Sequence, residues 1–446
     1  MRKIHLYRLS RTRLIALGFF IIILIGTLLL MTPFASRTGG GADFLTAFFT
    51  AVSASCVTGL VVANTFLQWS FFGQLVILIL IQIGGLGFIT IGFGLALFLR
   101  KRITLRQRGL LQESVNVIHV GGMVRLAKLI LKGTLLFEGI GALILTLCFL
   151  PDMGFPTALW YGIFHSVSAF CNAGFDLMGR YDLSSFTGYN DHPVVILTLV
   201  VLILVGGIGF FVWADLKEHK LRFRKYALHT KLVLWFSLIL TLGGTILFFL
   251  LERGALFSDM PLWQAWLNAL FCAVTPRTAG FNMVDTASLT EASKLLTIIL
   301  MFIGGCSGST AGGIKVTTIA VLLLYIRSTL TRSDGVNCFG RRLSEDAVPK
   351  ATAVFSINLF LAVCASFLLA VFHSAGLTEM IFEAVSAIST VGMSLGLTSA
   401  LPAAGKLVLI VLMYLGRVGS LSFALSFTDK KKLTHVRLPQ EKISIG

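Results

Sequence analysis

Charge is scarce in this chain. Of 446 residues, 13% are charged and only 20 are acidic, against 56% hydrophobic residues and a mean hydropathy of +0.88. That balance excludes an ordinary soluble globular domain. Cysteine is also sparse: seven are scattered through the chain, odd in number and without paired metal-ligand spacing, so neither a disulfide framework nor a cysteine metal centre is indicated. A phosphate loop of the GxxxxGK kind fails by one position, because Ile314 stands where lysine is required, and the site lies in an apolar stretch. The net charge of +17 is not gathered into one arm. It is spread over Arg2 to Arg13, Arg100 to Arg108, Arg125 to Lys132, Lys217 to Lys231, Arg327 to Lys350 and Lys430 to Arg437, which argues against nucleic acid.

Between these basic blocks lie long uncharged runs, among them Leu14 to Met31, Phe71 to Leu99, Val194 to Ala214 and Leu232 to Leu251. Each reaches the roughly 20 residues that a spanning helix needs. The first is longer than a signal-peptide core and is followed by no convincing small-residue cleavage site, so it reads as a mature helix. By the positive-inside rule both termini and the basic loops lie on the cytoplasmic side of a cell membrane. The tail Asp429 to Gly446 reads as a cytoplasmic docking or lipid-facing segment.

Four short segments repeat. Aligned without gaps they read AVSASCVTGL (Ala51 to Leu60), SVSAFCNAGF (Ser166 to Phe175), CAVTPRTAGF (Cys272 to Phe281) and AVSAISTVGM (Ala384 to Met393), with Phe49, Phe164, Leu270 and Phe382 each ten positions before the shared glycine. Each follows an apolar segment too short to cross a roughly 30 Å core, so it must enter and turn back. The predicted unit is spanning helix, re-entrant helix, extended turn, spanning helix. Four units give eight spans and four half-spans: an all-α integral membrane protein, with repeats over 14–99, 123–214, 229–326 and 350–427 and tails over 1–13 and 428–446.

Non-helical backbone at membrane depth survives only where protein buries it or water lines it. The turns Val57-Thr58-Gly59-Leu60, Asn172-Ala173-Gly174-Phe175, Thr278-Ala279-Gly280-Phe281 and Thr390-Val391-Gly392-Met393 are therefore expected to meet on one aqueous axis. There their carbonyls can replace the water around a cation, and the negative ends of the short helices favour it. With no fixed charge, the site suits a weakly held monovalent ion. A single glycine after an apolar helix is ordinarily a C-cap; four matched copies argue for more.

The helices that follow the turns carry a second repeat: Gly84-Gly85, Gly206-Gly207, Gly304-Gly305 and Gly416-Arg417. Arg417, at bilayer depth, is expected to form a positive barrier facing the pathway, the alternative being a packing arginine satisfied by carbonyls. The third helix is expected to break where the others continue, because Gly304 to Gly313 is polar and glycine-rich. Close helix packing through small residues is the other reading of that run. Its sequence Gly305-Cys306-Ser307-Gly308 also resembles the surroundings of an intramembrane serine protease nucleophile, but His165, His229 and His373 are not obviously at a matching depth. Glu138, inside a span, reads equally as a paired packing group or a coupling-ion ligand. Asp176 either draws cations to the outer mouth or caps a loop, and Arg277 reads as holding the third turn through carbonyl or carboxylate bonds rather than touching the ion.

The fourfold turns CVTGL, CNAGF, PRTAGF and STVGM resemble those of the Trk, Ktr and HKT superfamily of potassium transporters, and most of all its Ktr-type membrane subunit, since the extra leading helices of Trk-type proteins are missing. The resemblance implies a potassium pathway filtered at Gly59, Gly174, Gly280 and Gly392, with sodium as a possible co-required ion and no other cofactor. It implies a homodimer on a cytoplasmic ring of nucleotide-binding regulatory subunits. It also implies an intramembrane gate built from Gly304, Gly305, Ser307, Gly308, Ser309, Thr310, Gly312, Gly313 and Lys315, together with Arg417. No turn reads TVGYG, so poorer discrimination against sodium is expected than in potassium channels. A pore for another monovalent cation and the protease remain the alternatives.

Overall fold

A computed structural model describes residues 11–87, 90–92, 123–181, 185–220, 222–419 and 441. Apart from residues 11–13 and 441, the expected tails lie outside the described residues, as do the basic blocks at Arg100 to Arg108 and Lys430 to Arg437, most of that at Arg2 to Arg13, and the ends of the runs reaching Leu99 and Phe427.

The chain is helical and repeats one unit four times. In the first unit α1 (Arg11–Leu30) is followed by the short α2 (Phe44–Ser55) and then α3 (Phe71–Leu86). The second has α4 (Met123–Met153), α5 (Phe155–Phe170), α6 (Pro193–Gly207) and α7 (Phe210–His219). The third has α8 (Leu228–Glu252), α9 (Leu262–Val274), α10 (Glu291–Phe302) and α11 (Val316–Leu330), and the fourth α12 (Ala347–Phe372), α13 (Leu377–Ile388) and α14 (Ala403–Val418). A two-stranded hairpin, Asn337–Cys338 with Arg341–Arg342, joins the last two units.

Among the described residues, only the first helix of each unit is long enough to cross a bilayer unbroken: the apolar spans within α1, α4, α8 and α12 run 18, 30, 25 and 26 residues. Their outer faces expose Leu28, Leu135, Leu143, Leu250, Phe360 and Phe367, as lipid-facing surfaces do. The expectation that the other second helices continue where the third breaks is thus corrected. Each second helix stops at its glycine motif, α3 at Gly87 (φ 78°), α6 before Gly209 (φ 103°) and α14 at Gly419 (φ 93°), while α10 ends at Phe302. The α6–α7 break bends the chain by 93°. So the third helix is not alone in breaking; it differs in the length of the insert before α11.

The short helices run 12, 16, 13 and 12 residues, about 18 to 24 Å at 1.5 Å per residue. Asp43 caps α2 by accepting from Thr46 N, and Pro156 starts α5 where its missing N–H costs nothing. They are buried at the centre: Phe49, Phe164 and Phe382 are fully enclosed. In the third unit the buried aromatic is Phe271 rather than the aligned Leu270. Helix α9 ends six residues before its glycine, whereas α2, α5 and α13 end four before theirs. Pro276 disfavours helix at the residue before it, and the ungapped alignment is off by one there.

Candidate functional site

At the ends of α2, α5 and α13 the chain turns through a left-handed residue that is not glycine: Val57 (φ 57°), Asn172 (φ 58°) and Thr390 (φ 52°). The N–H of the following residue returns to the helix, Thr58 to Ser53 O at 2.8 Å, Ala173 to Ser168 O at 2.8 Å and Val391 to Ser386 O at 2.9 Å. This is the closure of a Schellman cap. In the third unit Thr278 is left-handed (φ 74°) and Ala279 N bonds Thr275 O at 2.9 Å, one residue tighter. The helices are therefore capped two residues before the repeated glycines, and the glycines serve another purpose. A left-handed Val or Thr costs on the order of 1–3 kcal/mol, strain of the kind that clusters at functional sites.

That purpose is close approach. Gly59, Gly174, Gly280 and Gly392 all have positive φ, at 94°, 68°, 79° and 91°. A β-carbon on Gly59 would lie 2.5 Å from the Ala173 carbonyl oxygen, and one on Gly174 would lie 2.8 Å from that of Ala279. One on Gly280 would collide with the Val391 oxygen, and one on Gly392 with that of Thr58. Each turn thus abuts the next in chain order, and the fourth returns to the first. The four glycines line one open cavity of about 410 Å³ together with Asp176, Asp285, Ser394 and Thr398. The ring is closed.

Hydroxyls on the short helices hold the turns from behind. Gly59 N donates to Ser53 Oγ at 3.1 Å and Gly392 N to Ser386 Oγ at 3.2 Å. Ser168 Oγ donates to Phe175 O at 2.7 Å and Thr275 Oγ1 to Phe281 O at 2.6 Å. Sequence reasoning singled out none of these, although serine recurs in that column of three aligned segments. The side chains of Leu60, Phe175, Phe281 and Met393 are buried behind the ring. Arg277 bonds α8 through Ser237 Oγ at 2.9 Å, Ser237 O at 3.3 Å and Thr241 Oγ1 at 3.0 Å, holding the third turn without reaching the axis.

The glycine motifs meet the same structure from the opposite end. A β-carbon on Gly84 would strike the Ser55 oxygen, one on Gly206 that of Phe170, and one on Gly416 that of Ile388, the last residues of three short helices. The Gly304 to Gly313 loop packs here as well. Cys306 N donates to Gly207 O at 3.1 Å, Thr310 Oγ1 to Phe170 O at 3.2 Å, and Phe210 N to Gly308 O at 2.8 Å. Gly312 and Gly313 lie against Thr390 and Ser389, and Gly304 and Gly305 against the loop's own far side. Ser309 Oγ bonds Cys306 O at 2.7 Å, while Lys315 Nζ donates to Ala311 O at 2.7 Å and Gly312 O at 2.9 Å. Arg417 donates to Thr310 O, Gly84 O and, at 3.1 Å, Gly85 O. Carbonyls satisfy it, as its alternative reading had it, and they come from the loop and from α3.

Ser307 Oγ pairs with Thr317 Oγ1 at 3.1 Å, and both nitrogens of His165 are engaged with main-chain groups, Nδ1 with Tyr161 O and Nε2 with Leu177 N. Glu138 accepts from Gln82 Nε2 at 3.1 Å, a paired group behind the second turn. Asp176 caps its own loop by accepting from Met178 N at 3.0 Å and also lines the cavity.

Four short helices that end in one closed ring, enclosed by membrane-length helices, define a multi-pass membrane transport protein. The chain belongs to the TrkH family of cation transport proteins, whose pattern matches residues 11–436. It is 40% identical to the potassium/sodium uptake protein NtpJ of Enterococcus hirae, across 100% of this chain and 99% of that one. It is 39% identical to the Ktr system potassium uptake protein B of Bacillus subtilis, covering 98% and 97% of the two chains. The crystal structure of the potassium transporter TrkH from Vibrio parahaemolyticus shares the fold, with a TM-score of 0.75 over 96% of this chain and 87% of that one at 21% identity.

Proposed function

We propose that this chain is the potassium-conducting subunit of a Ktr-type uptake system in the cell membrane, with both termini cytoplasmic. The observation that carries the reading is the closed ring of four glycine turns around the floor of one open cavity. The two relatives above, named for potassium uptake and matched end to end, supply the ion. Sodium, which stands in the name of the Enterococcus relative, is the second ion to be tested.

A potassium ion entering the cavity exchanges its water for carbonyl oxygens of the turns Val57 to Leu60, Asn172 to Phe175, Thr278 to Phe281 and Thr390 to Met393. Four helix C-termini converge there and favour positive charge. No carboxylate belongs to the ring itself, so the ion is held weakly enough to leave. Below the ring the Gly304 to Gly313 loop blocks the path, latched by Lys315 to its own carbonyls and by Arg417 to α3. Movement of the cytoplasmic partner ring releases it. The homodimer and the nucleotide-binding partner follow from the Ktr-type reading.

The test is growth of potassium-uptake-deficient cells at low external potassium. The intact chain restores growth, and Gly280→Asp, which places a side chain against the Val391 oxygen, abolishes it. A chain that reaches the membrane and restores no growth while admitting sodium overturns potassium as the cargo.

A further inference from the structure

The outer limbs of the second and fourth turns are each held by one buried side chain placed nine residues before the glycine, and these two turns sit opposite one another in the ring. Before Gly174 that residue is His165, fully buried. Its Nε2 accepts from Leu177 N at 3.0 Å, so its other nitrogen, Nδ1, carries the proton and donates to Tyr161 O at 2.8 Å. Before Gly392 it is Glu383, also fully buried. Ser394 Oγ and Thr398 Oγ1 donate to its two carboxyl oxygens, the second at 2.7 Å. Ser394 in turn accepts from Gly396 N at 2.9 Å, and both hydroxyl residues line the outer cavity.

The other two turns are held differently. Thr50, the corresponding residue of the first unit, spends its hydroxyl on Thr46 O within its own helix, at 2.8 Å. The third turn is gripped by the loop of the second unit: Asn282 N donates to Ser185 Oγ at 3.2 Å and Phe186 N to Asn282 O at 2.9 Å. A polar side chain is costly to enclose at this depth unless its bonds are worth making.

We infer that His165 and Glu383 are positioning residues for cation entry: from behind, they fix opposite walls of the outer mouth, and thereby the width at which an arriving alkali ion exchanges its first waters for the ring. The inference rests on the proposed transport function. Neither residue touches the ion. Loss of either brace widens one wall, which weakens ion capture and relaxes the choice between potassium and sodium, with the inner gate untouched.

The experiment measures initial uptake of potassium and of sodium by cells carrying the full chain, with membrane levels matched. In His165→Phe and in Glu383→Leu the potassium KM is expected to rise about five-fold, the scale of one lost buried hydrogen bond, with the sodium preference rising and the maximal rate per protein nearly kept. His165→Gln, which retains an acceptor for Leu177 N, is expected to restore most of the affinity. Should Glu383→Leu fail to reach the membrane, Thr398→Val removes one arm of the same brace, and Thr398→Ser restores it. Unchanged KM and unchanged ion preference in Thr398→Val and His165→Phe overturn the inference, as does a fall in maximal rate alone. A natural chain that takes up neither ion defeats the transport reading instead.

Discussion

The Arg417 guanidinium donates to the Thr310 carbonyl, so the end of α14 is fastened to the middle of the glycine-rich loop. Its remaining bonds run to Gly84 O and Gly85 O on α3. One side chain thus joins the first, third and fourth units directly beneath the ring. Among the described residues no carboxylate pairs with it, and on the proposed reading its charge therefore stands uncompensated in the path of a cation.

Arg417→Gln removes both the charge and most of the latch. Potassium uptake per protein is expected to rise by about tenfold, the effect of lowering a barrier by 1.4 kcal/mol. Initial rates normalised to membrane content check this, and an unchanged rate would show that passage is controlled elsewhere.

The ring itself tolerates no side chain. In Gly392→Ala the β-carbon meets the Thr58 oxygen at a backbone φ of 91°, so both space and conformation oppose it. Strain on the order of 1–3 kcal/mol concentrated at the turn should distort one wall and reduce potassium uptake by at least about tenfold, while the protein still inserts. Uptake measurements beside a membrane-fraction blot separate loss of transport from loss of protein.

Packing behind the ring should appear as stability. A β-carbon on Gly206 would strike the Phe170 carbonyl, whereas one on Gly243, in the middle of α8, meets nothing within 4 Å. Gly206→Ala is expected to lower the melting temperature in detergent, at a cost of about 1–3 kcal/mol from overpacking. Gly243→Ala should leave it unchanged or raise it slightly, because alanine is the better helix former. Equal shifts in the two variants would mean that the contact does not bear on stability.

The repeated glycines, their spacing and the short helices before them were legible because each leaves a composition that a spanning helix would not have. The meeting of the turns followed from the cost of bare backbone in lipid. Less visible was which residue caps each helix: Val57 and Thr390 are poor left-handed residues by local preference, and only the closed ring holds them there. The register of the third short helix was hidden by an alignment without gaps, though Pro276 marked the place. The stops at Gly87, Gly209 and Gly419 were missed because hydropathy continues across them while the backbone does not. His165 looked like a poor catalytic base, and its partner Leu177 N is a main-chain group that no side-chain motif announces.

Because one polypeptide supplies every quarter of this ring, a single codon change alters one quarter and leaves three intact. A pore assembled from identical subunits would receive the same change in all four places at once. If the ring filters the ion as proposed, adaptation can proceed by small asymmetric steps, so ion preference should drift gradually among descendants instead of being lost in one stroke.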